Sequence, residues 1–254
     1  MGKDVPMPSL TEDAPDFAFV IPVYNHAGTI AEVAARAAAF GRPVYVVLDG
    51  ATDDSAEQAG TVPGVLLLRH ERNLGKGAAL LTGMREAAKT CSYAITLDAD
   101  GQHDPLDTVN LLDEIRPGER PIVVGYRRGM DAPGVPWTSR WGRRFSNFWV
   151  WASSGMWLAD TQTGFRACPL PETLRLGARS RRFQFEVEVL ALARWRGIPI
   201  RQAEVTVDYA PKGRRISHFR PWADFWNNTK TFSRLIWRRI FVPPSTRARR
   251  GGGA

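Results

Sequence analysis

The chain has 254 residues, 44% of them hydrophobic and 24% charged, the balance of an ordinary globular protein with one substantial core or two small ones. No apolar run reaches the roughly 20 residues needed to cross a bilayer; the closest, residues 145–159, is interrupted by Ser146, Asn147, Ser153, Ser154 and Gly155. The net charge of +8 points at first to nucleic acid, but seven Lys and Arg residues follow Asp224, the last acidic residue, which leaves about +1 for the first 224. The basicity belongs to a tail, and no nucleic-acid partner is expected.

In chain order, residues 1–16 are polar and Pro-rich and read as a flexible segment without the pattern of a signal peptide. Phe17–Val23 is a strand and Gly28–Phe40 an Ala-rich helix, followed by a strand at Val44–Leu48 and a short helix opening near Asp54. Val65–Arg69 is a strand, Gly77–Lys89 a helix, and Tyr93–Leu97 a strand running into Asp98. Pro105–Ile115 reads as a helix with Pro105 in its first turn, and Pro121–Gly125 as a further strand. Strands and helices alternating through such short connections imply a mainly parallel sheet with helices on both faces. No internal repeat is present, and Cys91 and Cys168 form neither a disulfide framework nor a metal-ligand pattern, as expected of a cytoplasmic protein with reduced thiols.

In such sheets ligands gather at the carboxyl ends of the strands. Four consecutive strands here empty polar loops onto that edge: PVYN (Pro22–Asn25), DGATDDS (Asp49–Ser55), RNLGKG (Arg72–Gly77) and DADGQHDP (Asp98–Pro105). Asp98 and Asp100, one residue apart at a strand end, can approach one hard cation from an open loop. Mg²⁺ and Mn²⁺ take oxygen ligands, and Mg²⁺ is commonly held by one or two carboxylates together with substrate phosphates. The plain structural alternative is a solvated acidic turn. RNLGKG can turn backbone N–H groups and Lys76 toward phosphate, although it lacks Walker A spacing, and its glycines also suit a tight turn. Asp49 can accept from a base or ribose, or close a turn.

Together these loops resemble the family-2 glycosyltransferases, in particular the dolichol- and polyprenyl-phosphate sugar synthase branch. DTQTGFRA (Asp160–Ala167), FEVEVLALA (Phe185–Ala193) and SHFRPWADF (Ser217–Phe225) look like the same family's acceptor half. The resemblance implies an α/β fold of GT-A, Rossmann-like type over residues 17–215 and inverting transfer from a UDP- or GDP-linked sugar. It also implies Mg²⁺ or Mn²⁺ bridging Asp100 to the donor diphosphate, with Gln102 beside it. The donor contacts it implies are Pro22, Tyr24, Asn25, Asp49, Asn73, Lys76 and Asp98. Leu48 stands where the family usually has a further Asp near the nucleobase, so the choice of nucleotide stays open.

Arginines interleave with tryptophans after residue 126. Of these Arg127, Arg143, Arg144 and Arg166, with Ser146 among them, suit an anionic, lipid-linked acceptor. The alternative is a basic surface over a Trp-rich core. A lipid monophosphate, with its second pKa near ~6, is already a nucleophile at neutral pH. A hydroxyl acceptor on another lipid, glycan or metabolite requires a base, for which Asp160, Glu186 and Glu188 are candidates; Asp160 and Glu188 match the family's motifs. A non-catalytic nucleotide-binding or membrane-adaptor protein remains the reading from another class.

Residues 216–243 form the most periodic segment. At about 100° per residue, Trp222, Phe225, Trp226, Phe232, Ile236, Trp237, Ile240 and Phe241 share one face. Arg234 and Arg238 lie opposite, Lys230 and Arg239 at the borders, and Leu235 and Val242 break the pattern. Such a C-terminal amphipathic helix suits an anionic membrane surface, here the inner face of the membrane, although the same aromatic face could instead pack on the catalytic domain. Residues 244–254 are an expected disordered basic tail.

Overall fold

The first strand, β1 (Phe17–Val23), is buried along its whole length, which is why it reads as a continuous apolar run. Its side chains alternate between two cores. Phe17, Phe19, Ile21 and Val23 enter one, with α1 (Ile30–Ala38), α2 (Ser55–Gly60) and α4 (Thr108–Asp113). Ala18 and Val20 enter the other, with α3 (Lys76–Ala87), α5 (residues 147–154) and α7 (Gln184–Trp195). The remaining elements are β2 (Val44–Asp49), β3 (Val65–His70), β4 (Tyr93–Thr96), β5 (Ile122–Arg127), β6 (Arg166–Pro169), the short α6 (Glu172–Arg175) and β7 (Ile200–Val205). This computed structural model describes residue 10 and residues 14–127, 147–161, 163–182, 184–207, 233–237 and 239–242.

Among the described residues, seven strands form one sheet in the order β3-β2-β1-β4-β6-β5-β7. Only β6 runs against its neighbours, antiparallel to β4 and β5; the other four pairings are parallel. The expected GT-A-type, mainly parallel sheet with helices on both faces is therefore present. The order reverses between β1 and β4, so the loops leaving those two strands diverge and open a crevice at their carboxyl ends. Gly83 lets α3 lie close to the sheet, since a Cβ there would meet Val20 Cγ1 at 2.4 Å.

Two differences from the sequence reading have local causes. The segment expected as one helix from Pro105 starts as a 3-10 turn, Pro105–Asp107, because Asp104 caps it through Leu106 N at 2.9 Å; α4 follows as a short helix. The tail is helical at residues 233–237 and 239–241, but its inner side is not the aromatic one. Leu235, which broke the expected pattern, is 0% exposed, while Trp237, Ile240 and Phe241 are 62%, 66% and 63% exposed. Arg234, expected on the solvent side, and Arg239, expected at its border, both reach back to the domain, although Arg234 stays partly exposed. Arg234 pairs with Glu188 at 2.6 Å, and Arg239 donates to the carbonyls of Trp151 and Ala152 at the end of α5. Trp222, Phe225, Trp226, Lys230, Phe232 and Arg238 lie outside the described side chains. Among the described residues no helix is long and apolar enough to cross a membrane.

Candidate active site

Each wall of the crevice is fixed by its own hydrogen bonds. Asn25, after β1, adopts a left-handed φ of 56°. Its side chain accepts from Thr52 N at 2.8 Å and donates to Thr52 Oγ1 at 3.2 Å, joining the first two loops. Asp53 accepts from Ala27 N and Ser55 N, and Ser55 Oγ accepts from His26 N at 2.8 Å. Burial opposes the charge on Asp53, but the bonds from Ser55 and Ala27 outweigh it and hold the carboxyl below its ordinary pKa. The opening turn of α1 is tied to the β4 loop by Thr29 Oγ1, which donates to Ala99 O at 2.6 Å.

Lys76 occupies the centre. Its ammonium lies 2.5 Å from Asp98 Oδ1 and 2.7 Å from Glu186 Oε1, so the N-terminus of α3, the end of β4 and the start of α7 meet on one charge. Burial works against that charge, but the two carboxylates overcome it and raise the Lys76 pKa above its ordinary value. Burial likewise opposes ionisation of Asp98, yet Lys76, with His103 and His26 adding to it, holds this carboxyl below the usual range. Asp100 differs. Burial and then the neighbouring Asp98 charge push its pKa up, countered in part by a bond from Gln102 N at 3.0 Å. Burial also raises the Glu186 carboxyl against the pull of Lys76 and Arg166.

Asp100 is thus a partly buried carboxylate at the carboxyl end of β4, beside a second carboxylate. An all-oxygen donor set of this kind fits a hard divalent cation. Among the described residues no three His, Cys, Asp or Glu side chains converge as a ready metal cage. The protein would supply the one or two carboxylates typical of a Mg²⁺ site completed by phosphate and water. Gly164 closes the floor, since a Cβ there would lie 2.5 Å from Asp98 Oδ2. Nothing in the TQTGF run alone marks this closeness; it emerges once β6 is paired antiparallel to β4.

Beside this cluster, Arg127 and Asp160 bind each other in a two-pronged pair, Nε to Oδ2 at 2.5 Å and Nη2 to Oδ1 at 3.1 Å. His103 lies between the two groups: its Nε2 is 3.4 Å from Thr163 Oγ1, its ring packs on Phe165, and burial lowers its pKa so that it is neutral at pH 7.

Several expected site residues have other surroundings. Asp49 is turned inward, accepting from Leu74 N at 2.8 Å, Gly75 N at 2.7 Å and His70 Nδ1 at 2.7 Å, so its oxygens organise the approach to α3 and do not face the crevice. Pro22 is buried within β1, Tyr24 is half-buried after it, and Asn73 is exposed in the loop before α3. Arg166, expected on an acceptor surface, is 3% exposed and donates to the carbonyls of Thr161, Thr163 and Glu186. Three of its N–H groups thus tie β6 to the preceding loop and to α7, and an acceptor role for it would have to use the others. Glu188, expected as a base, is 2% exposed and accepts from Arg179 N, Ser180 N and Arg234, so both of its oxygens already hold structural hydrogen bonds. Arg143, Arg144 and Ser146 lie outside the described residues.

A mainly parallel sheet whose order reverses beside an acidic pair and a pinned lysine has the layout of a ligand-binding α/β domain, with its polar groups gathered at the strand ends. The glycosyl transferase family 2 model matches residues 18–169, and the chain belongs to that family and is a glycosyltransferase. A UDP-N-acetylglucosamine–dolichyl-phosphate N-acetylglucosaminyltransferase of Methanococcus voltae is 29% identical over 150 residues, 57% of this chain and 60% of that one. An undecaprenyl-phosphate 4-deoxy-4-formamido-L-arabinose transferase of Pseudomonas aeruginosa is 33% identical over 162 residues, 58% of this chain and 45% of that one. Both relatives are named for transfer to polyprenyl phosphates, and the matched region spans 60% of the first and 45% of the second. Among solved structures, glucosyl-3-phosphoglycerate synthase of Mycobacterium tuberculosis shares the fold, with a TM-score of 0.63 and 17% identity over 90% of this chain and 81% of that one.

Proposed function

We propose that the chain moves a sugar from a UDP- or GDP-linked donor to a polyprenyl phosphate at a membrane surface, with inversion and with Mg²⁺ or Mn²⁺ on the donor diphosphate. The observation that carries this reading is the Asp98–Asp100 pair at the β1/β4 crevice, with Lys76 pinned beside it. Asp100, with Asp98 next to it, would hold the ion, which when bound neutralises charge developing on a diphosphate leaving group. Lys76 adds a second positive charge at the same end of the crevice, kept in place by Glu186. The mycobacterial synthase that shares the fold is described in complex with Mn²⁺ and UDP, which supports the donor class.

The acceptor class is supported by what the carboxylates are doing. Each candidate base is already paired with a cation: Asp160 with Arg127, Glu186 with Lys76, Glu188 with Arg234. A carboxylate held in such a pair must give up its partner before it can reach a substrate hydroxyl. A phosphate monoester is ionised without assistance at neutral pH, so it asks for no base. The two curated relatives are named for dolichyl-phosphate and undecaprenyl-phosphate substrates, which accords with that choice.

Titration calorimetry of UDP and GDP, with and without Mn²⁺, tests the donor site. One nucleotide is expected to bind, roughly tenfold or more tighter with Mn²⁺, equivalent to about 1.4 kcal/mol. Asp100→Asn should lose that increment and keep the metal-free affinity. Transfer of labelled sugar to a short polyprenyl phosphate, against the matching polyprenol, tests the acceptor. Equal use of the alcohol would replace this reading with a hydroxyl-directed enzyme and return Asp160 to the role of base.

A further inference from the structure

We propose that Glu188 is a positioning residue through which the tail helix, by its Arg234, holds the Lys76 loop in place. Its consequence for catalysis rests on reading Lys76 and Asp98 as the donor site, but the coupling itself does not.

Glu188 is a buried carboxylate on α7, and its two oxygens look in different directions along the chain. Oε2 accepts from Arg179 N at 3.0 Å and Ser180 N at 2.7 Å. Oε1 accepts from Arg234 Nη2 at 2.6 Å, the one ion pair of Glu188 among the described residues. The Arg234 side chain is 42% exposed, but that of Glu188 is 3% exposed, and a carboxylate buried to that degree is destabilised when it loses its cation, so the geometry around it depends on an arginine from more than 40 residues away in sequence.

The segment held by Oε2 is packed directly onto the glycines that flank Lys76. Arg181 O accepts from Ala78 N at 3.1 Å, in the first turn of α3. A Cβ on Gly75 would lie 2.4 Å from Arg181 O, and one on Gly77 would lie 2.8 Å from Ser180 O and 2.6 Å from Phe185 Cβ. Backbone therefore meets backbone on both sides of Lys76, with no flexible side chain between them to absorb a displacement. A shift of residues 179–181 is transmitted to Gly75–Gly77, and from there to the ammonium that bridges Asp98 and Glu186. Among the described residues, the tail helix is seated by fully buried Leu235, by Arg234 on Glu188 and by Arg239 on the α5 carbonyls. On this reading RNLGKG and the tail, separated by most of the sequence, form one functional unit.

Hydrogen exchange of the full chain, read by mass spectrometry without any ligand, tests the coupling separately from the proposed reaction. Arg234→Met should speed exchange at Ala78 and at residues 179–180 at least tenfold, and leave β1 and β2 protected. Arg234→Lys, which restores a cation, should recover most of that protection, which loss of mere packing would not. Leu235→Ser, which unseats the helix and keeps Arg234, should give the same pattern as Arg234→Met. Glu188→Gln combined with Arg234→Met should exchange no faster than the more affected single variant. Trp237→Ala, on the outer face, should leave the pattern as in the unaltered chain. Unchanged protection at Ala78 in Arg234→Met, additive effects in the double variant, or acceleration spread evenly over the whole sheet would each overturn the proposal.

Discussion

At Gly164 the backbone runs against the Asp98 carboxylate with room for a hydrogen and nothing larger: an added Cβ would stand 2.5, 2.6 and 2.7 Å from Oδ2, Oδ1 and Cγ. The neighbouring Thr96 Oγ1 donates to Gly164 O at 2.6 Å, so this turn cannot simply swing away. In Gly164→Ala the atom that must yield is Asp98, which is held by Lys76 on its other side. A displacement of about 1 Å at a reacting centre costs on the order of 100-fold in rate. Gly164→Ala should therefore lower sugar transfer by about that factor, with nucleotide affinity in the absence of metal little changed and far-UV circular dichroism preserved. Steady-state rates of the variant against the unaltered enzyme check this. A rate within threefold of the unaltered enzyme would show that Asp98 is free to relocate.

The connection from β2 to α3 depends on Asp49 in the same way that the crevice depends on Asp98. Asp49 gathers His70 from the end of β3 and the N–H groups of Leu74 and Gly75 from the α3 approach, while His70 Nε2 continues to Thr82 at 3.0 Å. Asp49→Ala strands two backbone donors and a histidine, and a buried unsatisfied group costs roughly 1–3 kcal/mol. A loss of about 2–4 kcal/mol in a urea melt is expected, with Asp49→Asn losing less because one acceptor oxygen survives. If Asp49→Ala instead melts like the unaltered chain and loses only nucleotide affinity, the inward role is wrong.

This residue also shows which information the sequence holds at the level of elements. That a polar residue ends β2 follows from pattern, because β1, β2 and β4 are interior parallel strands that read as apolar runs punctuated by polar loops. Whether the side chain at that punctuation turns toward ligand or toward the next helix depends on the partner loop, which pattern does not supply. β6 was illegible as a strand for a related reason. It is four residues long, opens with Arg166 and ends in Pro169, and the buried guanidinium is met by two carbonyls of the preceding loop and one of α7. In α7 every residue from Gln184 to Ala193 is buried, so no amphipathic stripe exists to show which way Glu186 and Glu188 point. The acidic pair, Lys76 and the family were legible because they sit at strand ends in short loops; their partners Gly164 and Glu186 come from distant segments and were not paired with them.

At the scale of the whole molecule, two helices that are distant in sequence present aromatic side chains outward. Phe148 and Trp151 on α5 are exposed, as are Trp237, Ile240 and Phe241 on the tail helix, and Arg239 links the two helices through the carbonyls of Trp151 and Ala152. Large exposed aromatic and aliphatic groups clustered beside a basic tail suit the headgroup region of a bilayer, and seven Lys and Arg residues without an acid follow Asp224. Each cation near an anionic leaflet contributes about 1 kcal/mol, whereas the aromatic contribution is independent of salt. The two parts are separable by experiment. Full-length protein should sediment with phosphatidylglycerol vesicles at low ionic strength and remain partly bound at high salt. Trp237→Ala combined with Phe241→Ala, which alters the outer face and spares Arg234, Leu235 and Arg239, should lose the salt-resistant fraction and keep part of the low-salt binding. Removing the whole tail would be a poorer test, because it also strips Glu188 of its cation. If the double variant retains its salt-resistant binding, the aromatic face does not meet lipid. If the full chain stays in the supernatant at low salt, the enzyme meets its acceptor without this surface.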